Sequence, residues 1–237
     1  MIIMVLEGQI RDIALGEGAD FFGVADLTQA RDEIVGQGGE WLAAYPRAIS
    51  VGIRLLDDIV DQLPNRDRAD VAVSYRSHAY DVVNCRLNQI TLTLANSLQR
   101  RGYRAYPVPA SLRFDDERIC AVVSQKLAAH LAGLGWIGKS CLLITPEAGP
   151  RVRFATVLTD APLPTGKPLD DRCGDCSECV EACPIHAFTG RNFREGEPRE
   201  ARFDAARCDM YFKAMETQGK PAICGMCLNA CPYGKRK

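Results

Sequence analysis

Between Tyr80 and Arg101, apolar residues return at steps of three and four, at Val83, Leu87, Ile90, Leu94 and Leu98, and Gly102 follows the last of them. That period lays one apolar stripe along a helix, and a glycine just beyond the stripe is a stop signal, so an amphipathic helix is predicted over 80–101. Upstream, the short apolar runs Phe21-Phe22-Gly23-Val24-Ala25 and Ala48-Ile49-Ser50-Val51-Gly52-Ile53 predict two strands, both central, with amphipathic stretches before and between them. A further helix is expected from Asp116 to about Leu131. Beyond it, Cys141-Leu142-Leu143-Ile144-Thr145 and the run from Arg151 to Leu158 predict two strands about the turn Pro146-Glu147-Ala148-Gly149-Pro150. Helix and strand signals thus alternate, which predicts an α/β (α+β) class with a mixed sheet flanked by helices. Three prolines and a glycine between Ala161 and Pro168 mark a connector. The expected domains are therefore 1–165, the sheet domain, and 166–237, a smaller module of turns and helices.

Composition adds bounds rather than direction. A chain of 237 residues, 47% hydrophobic and 25% charged, has the make-up of a soluble protein with one sizeable core and a smaller module. No apolar run approaches the ~20 residues that span a bilayer, so no membrane partner is expected. A net charge of -1 gives no global pull toward nucleic acid or an anionic surface. The start Met1-Ile2-Ile3-Met4-Val5-Leu6 lacks the basic opening and the length of a secretory signal. With 11 cysteines and no export signal, a cytoplasmic location is expected.

The cysteines change the picture. Cys173, Cys176, Cys179 and Cys183, the last followed by Pro184, form C-x2-C-x2-C-x3-C-P, the run that wraps cubane iron-sulfur clusters in ferredoxins. A second copy ends in Cys224, Cys227 and Cys231 before Pro232; Pro221 stands where its first cysteine is due, and Cys208 is the natural replacement. Two sets of four thiolates supply two 4Fe-4S clusters. Three closely spaced cysteines can hold three corners of one cube, while the fourth, before a proline, points away and in two-cluster ferredoxins ligates the other cluster. The expected ligands are Cys173, Cys176, Cys179 and Cys231 for the first cluster, and Cys208, Cys224, Cys227 and Cys183 for the second. Disulfides would need an oxidising compartment, and structural zinc prefers two separated knuckles. Both are weaker readings of the pattern.

Gly133-Leu134-Gly135-Trp136-Ile137-Gly138-Lys139-Ser140 satisfies both G-x-G-x-x-G and G-x4-G-K-[ST]. A phosphate loop carries a strand into a helix N-terminus; here a helix precedes and a strand follows, so nucleotide binding is not expected. The glycines instead predict close backbone approach to something bulky, with Trp136 as packing and Lys139 either solvated at its head or set against an anionic cofactor.

Ala132–Ser140, followed by Leu142-Leu143-Ile144, Val157-Leu158-Thr159-Asp160 and the Cys173 run, resembles the cobalamin-dependent epoxyqueuosine reductases. Ala48–Leu55, His78-Ala79-Tyr80-Asp81, Arg207-Cys208 and the stretch Cys224–Tyr233 look like further elements of that family, and the reductive dehalogenases share the broad plan. The resemblance implies a nitroreductase or cobalamin-reductase-like sheet domain with a ferredoxin-like double 4Fe-4S domain after it. It also implies that two clusters feed electrons to a cobalamin while a carboxylic acid supplies a proton. By position, Gly138 and Ser140 would lie along the corrinoid, with Thr145, Arg54 and Tyr80 nearby. The family's proton-donating aspartate falls at Ile119; Asp115 and Asp116, one helical turn upstream, are candidates to replace it, and His78 is a candidate lower ligand or proton relay. His130 and His186 are expected to be structural, and Cys85, Cys120 and Cys141 small buried hydrophobes.

The expected function is iron-sulfur electron transfer within an oxidoreductase, delivering low-potential electrons to a corrinoid or substrate. A non-catalytic ferredoxin-like carrier or redox sensor without cobalamin is the alternative. An electron-donor protein and a small-molecule substrate are the expected partners. Because the chain stops at Lys237, short of the family's transfer-RNA-gripping extension, and because Ile119 replaces the acid, neither a nucleic acid partner nor epoxyqueuosine reductase activity is expected.

Overall fold

A computed structural model describes residues 2–235. Two compact units emerge, each assembled from separate stretches of chain. The first gathers the chain through Ile53, Asn84–Gly135 and Arg153–Leu169; the second gathers Arg54–Val83, Trp136–Val152 and the chain from Asp170 onward. The class is mixed α/β, as expected. Its strands are β1 (Phe21–Asp26), β2 (Arg47–Arg54), β3 (Ala105–Val108), β4 (Trp136–Ile137), β5 (Leu143–Ile144) and β6 (Val152–Thr159).

The first unit is built on a four-stranded sheet in the order β1-β2-β6-β3. β1 runs antiparallel to β2, with Phe22 opposite Val51 and Val24 opposite Ile49, and β3 runs antiparallel to β6. β2 is interior, and Ala48–Gly52 are buried without alternation, the signature of a strand covered on both faces. β1 was expected to be central as well, yet it forms an edge of the sheet. Its apolar run reflects cover rather than position: a Cβ at Gly23 would come within 2.9 Å of the Ala132 carbonyl oxygen, so the bare backbone admits the segment after helix Gln125–Leu131. β3 contains Pro107, tolerated because an edge strand can spare a ladder donor. Leu27, Ile34, Leu42, Val108, Leu127, Leu131 and Leu158 share one core cluster.

Of the helix expected over 80–101, Val83–Gln99 is α-helical and Ser77–Val82 forms a π-helical turn before it. Leu87, Ile90, Leu94 and Leu98 are fully buried, as their period predicts. The helix expected over 116–131 is shorter, Gln125–Leu131, with the Ser124 hydroxyl accepting from Leu127 N at 3.3 Å. Asp115 explains the loss: its carboxylate accepts from Arg118 N at 2.8 Å, and its carbonyl accepts from Cys120 N at 3.1 Å, closing a tight turn instead of a helical one.

In the second unit β4 and β5 pair antiparallel, Trp136 opposite Ile144 and Ile137 opposite Leu143. The strand expected over 141–145 is thus cut to two residues and joins β4 rather than the run from 151 to 158. Cys141 turns the chain with φ 54°, and Thr145 exchanges backbone hydrogen bonds with Gly149. Short helices follow at Glu178–Glu181 and Met226–Asn229, and a longer one at Ala205–Thr217 is capped by Asp204, which accepts from Arg207 N at 2.8 Å. Buried Arg151 ties distant stretches together, bonding Asp57 at 3.0 Å and Asp61 at 2.6 Å while Gly234 lies against its side chain. Among the described residues no helix is long and apolar enough to cross a membrane.

Candidate functional site

Cys173, Cys176 and Cys179 sit on one loop, which Cys176 N tightens by bonding the Cys173 carbonyl at 3.0 Å. Cys231 arrives from the other end of the unit, and all four line a single cavity with Gly138, Lys139, Ser140, Ile144, Pro232 and Tyr233, about 350 Å³ of atom-free space that is partly open to solvent. Burial pushes the Cys231 thiol up to about 11, and Cys179, Cys173 and Cys176 add to the rise. Cys173 and Cys179 are raised for the same reason. These thiols face one another across a space, a poor arrangement for neutral side chains alone.

The other four form a second group. Cys227 is raised well above an ordinary thiol, first by burial and then by Cys224, Cys208 and Cys183. Cys179, from the first group, contributes as well, so the two groups adjoin. Cys224 is raised by burial and opposed by hydrogen bonds from Met226 N and the Arg66 guanidinium. Ala187 N donates to Cys183 Sγ at 3.3 Å.

Two groups of four thiols, each with N–H donors aimed at sulfur, are the donor set of a cubane cluster. Among the described residues no three His, Cys, Asp or Glu side chains are placed to hold a lone metal ion. The residues present therefore fit 4Fe-4S clusters.

The remaining expected site residues separate. Gly138 and Ser140 line the thiol cavity. A Cβ on Gly138 would fall 2.9 Å from Ile144 and 3.3 Å from Cys173 Sγ, so the bare backbone is what lets the sulfur approach. Thr145 is fully buried, its hydroxyl accepting from Ala148 N at 3.0 Å and donating to the Gly149 carbonyl at 3.1 Å. Arg54 pairs with Asp57 at 2.8 Å. Arg76 lies 5.5 Å over the Tyr80 ring. His78 Nε2 accepts from Leu56 N at 3.1 Å, and burial lowers the pKa of the ring. Thr145, Arg54, Tyr80 and His78 are not among the residues that line the thiol cavity. In the first unit, Asp115 is spent on its turn, Asp116 is exposed with Arg113 4.0 Å away, and Ile119 holds φ 51°. His130 Nδ1 lies 3.0 Å from the Gly135 carbonyl oxygen. Cys141 is buried as expected, whereas Cys120 is half-buried and Cys85 is exposed on the outer side of its helix.

Sequence reasoning missed Arg66 as a neighbour of Cys224 and took Trp136 as packing alone. Trp136 Nε1 donates to Cys173 Sγ at 3.4 Å. Its place inside a glycine-rich run beside a cluster motif was the available signal; Arg66, far from any cysteine in sequence, offered none.

Residues 172–234 match the family model described as a 4Fe-4S double cluster binding domain. The epoxyqueuosine reductase of Vibrio cholerae is 26% identical over 222 residues, covering 87% of this chain and 58% of that protein. That of Bacillus cereus is 41% identical over 66 residues, covering 28% of this chain and 17% of that protein. The chain thus spans less than two thirds of the length of these curated relatives. Among solved structures, a reductive dehalogenase described with a mechanism for B12-dependent dehalogenation superposes with a TM-score of 0.69 at 22% identity, over 96% of this chain and 32% of that one. An epoxyqueuosine reductase bound to an epoxyqueuosine-modified tRNA-Tyr stem loop gives 0.64 at 18% identity, over 99% and 67%. At such identities the shared feature is the fold.

Two expectations are corrected by these findings. Relatives named epoxyqueuosine reductase, in sequence and in fold, overturn the expectation that this activity is absent. A fold relative holding a tRNA stem loop likewise removes the ground for excluding nucleic acid as a partner. Net charge and the position of the last residue were poor guides, because a local surface can bind RNA whatever the sum of charges.

Proposed function

We propose that this chain, which is related to the epoxyqueuosine reductases and carries two 4Fe-4S clusters, is a reductase that takes low-potential electrons from a donor protein and passes them through both clusters toward its substrate. The observation that carries this reading is the gathering of eight thiols into two adjoining groups of four. Cys173, Cys176, Cys179 and Cys231 hold the first cluster; Cys208, Cys224, Cys227 and Cys183 hold the second. Each motif thus lends its proline-flanked cysteine to the other cluster, which keeps the two close enough for electron transfer between them.

A corrinoid, when bound, would supply low-valent cobalt as the last electron carrier. Gly138 and Ser140, which line the cavity of the first four thiols, would lie along such a corrinoid. The substrate class that the relatives' names support is epoxyqueuosine in transfer RNA, with a small electrophile as the alternative drawn from the dehalogenase likeness.

The test uses protein purified without oxygen. About eight irons per chain, a shifted spectrum on adding cobalamin, and turnover of an epoxyqueuosine-bearing stem loop under a strong reductant are expected. An iron count near zero would overturn the cluster assignment. Full iron with no corrinoid shift would overturn the route through cobalt.

A further inference from the structure

The run Trp136-Ile137-Gly138-Lys139-Ser140 matches the end of a phosphate-loop pattern but faces sulfur. Trp136 Nε1 donates to Cys173 Sγ at 3.4 Å, Lys139 N donates to the same sulfur, and the Ser140 hydroxyl donates to Cys179. Gly138 makes room for Cys173 by lacking a side chain. Lys139 is 9% exposed, and its Nζ donates to the carbonyls of Gly174 at 2.7 Å and Cys176 at 3.0 Å. Those carbonyls belong to the loop that presents the first two cysteines. Trp136 is itself held, edge-on to Tyr233 at 4.8 Å and with Arg172 5.6 Å over its ring.

We propose that Trp136–Ser140 is a strap that retains the first cluster and sets its reduction potential, with Lys139 as the positioning residue at its centre. The inference rests on the two-cluster reading and adds to it a role for residues outside the cysteine motifs. Two effects act together. A nearly buried ammonium beside a cluster favours the more negative, reduced state, because low local polarity leaves its charge poorly screened. Donors directed at cysteine sulfur withdraw charge from the thiolates and act in the same direction. The ammonium also ties the Gly174 and Cys176 carbonyls to one point, so the loop keeps its thiols turned inward without help from a helix.

The experiment compares wild type with Lys139→Gln, Lys139→Met and Lys139→Arg, all purified anaerobically. Iron is counted, and each cluster's reduction is followed by paramagnetic resonance during a potentiometric titration. Lys139→Gln is expected to move one of the two reduction steps to lower potential and leave the other in place. Lys139→Met is expected to lose about half the iron, and Lys139→Arg to stay near wild type on both readouts. Full iron in all three variants with both steps unmoved overturns the strap, as does an equal shift of both steps. Wild type without iron would instead sink the two-cluster reading on which the strap depends.

Discussion

Ile119 shows how one residue can carry two kinds of information. In sequence it marks the place where the resembled family has an acid; in the structure it holds φ 51° at the end of the turn made by Asp115 and Cys120. A β-branched side chain in left-handed backbone is costly, by roughly 1–3 kcal/mol, whereas asparagine tolerates that region. Ile119→Asn is therefore expected to stabilise the protein by about 1 kcal/mol. The check is a denaturant midpoint that rises at unchanged slope; an unchanged or lower midpoint would show that the isoleucine's packing outweighs its strain. The turn also explains why apolar spacing misled here. A carboxylate that bonds its own backbone three residues on competes with helix, and side-chain periodicity does not register that competition.

At the scale of elements, the π-helical turn Ser77–Val82 sets His78 where its Nε2 accepts from Leu56 N at 3.1 Å. Burial lowers the folded-state pKa below the ordinary value, so the neutral ring is the form the fold prefers. The sign follows directly. This contribution is complete above the unfolded pKa of about 6.5 and is lost as pH falls through that value toward the depressed folded one. Stability of wild type should thus decline more steeply than that of His78→Gln over this acid window, read as the difference between their denaturant midpoints. Parallel pH profiles for the two proteins would mean that His78 titrates as it does in the unfolded chain. β1 makes a related point about elements. Its unbroken apolar run announced burial on both faces, but burial can come from a covering segment such as Ala132 rather than from flanking strands.

On the scale of the whole molecule, the two units differ in what stabilises them. The first has a four-stranded sheet and a contiguous apolar core. In the second, the cysteine segment relies on helices as short as the four residues Glu178–Glu181 and Met226–Asn229, which are too brief to persist alone. Where elements this short carry the ligands of a metal site, metal binding is coupled to folding. Stripping the iron with a chelator is expected to abolish amide-exchange protection from 173 to 231 while β1, β2, β3 and the core of β6 keep theirs. Equal loss in both units would show that the clusters sustain the entire chain, and no loss in either would show that the cysteine segment folds without metal.

The sequence by itself determined the cofactor class, because the ligand spacing of a cubane motif is local and proline-flanked cysteines are hard to mistake. It also determined the α/β class and the long helix, whose apolar period is unbroken from Val83 to Leu98. The ligand spacing also predicted which distant thiols gather, Cys231 with the Cys173 loop and Cys208 and Cys183 with Cys224 and Cys227, and the structure brings them together. What only the tertiary structure decided was that Trp136 turns its Nε1 to Cys173 Sγ. It decided, too, that Lys139 grips the Gly174 and Cys176 carbonyls and that Arg66 reaches Cys224. Those contacts join residues more than thirty positions apart, and no pattern along a chain encodes such distances. They are set by how the backbone packs, at places such as Gly138 where a missing side chain lets sulfur and strand meet.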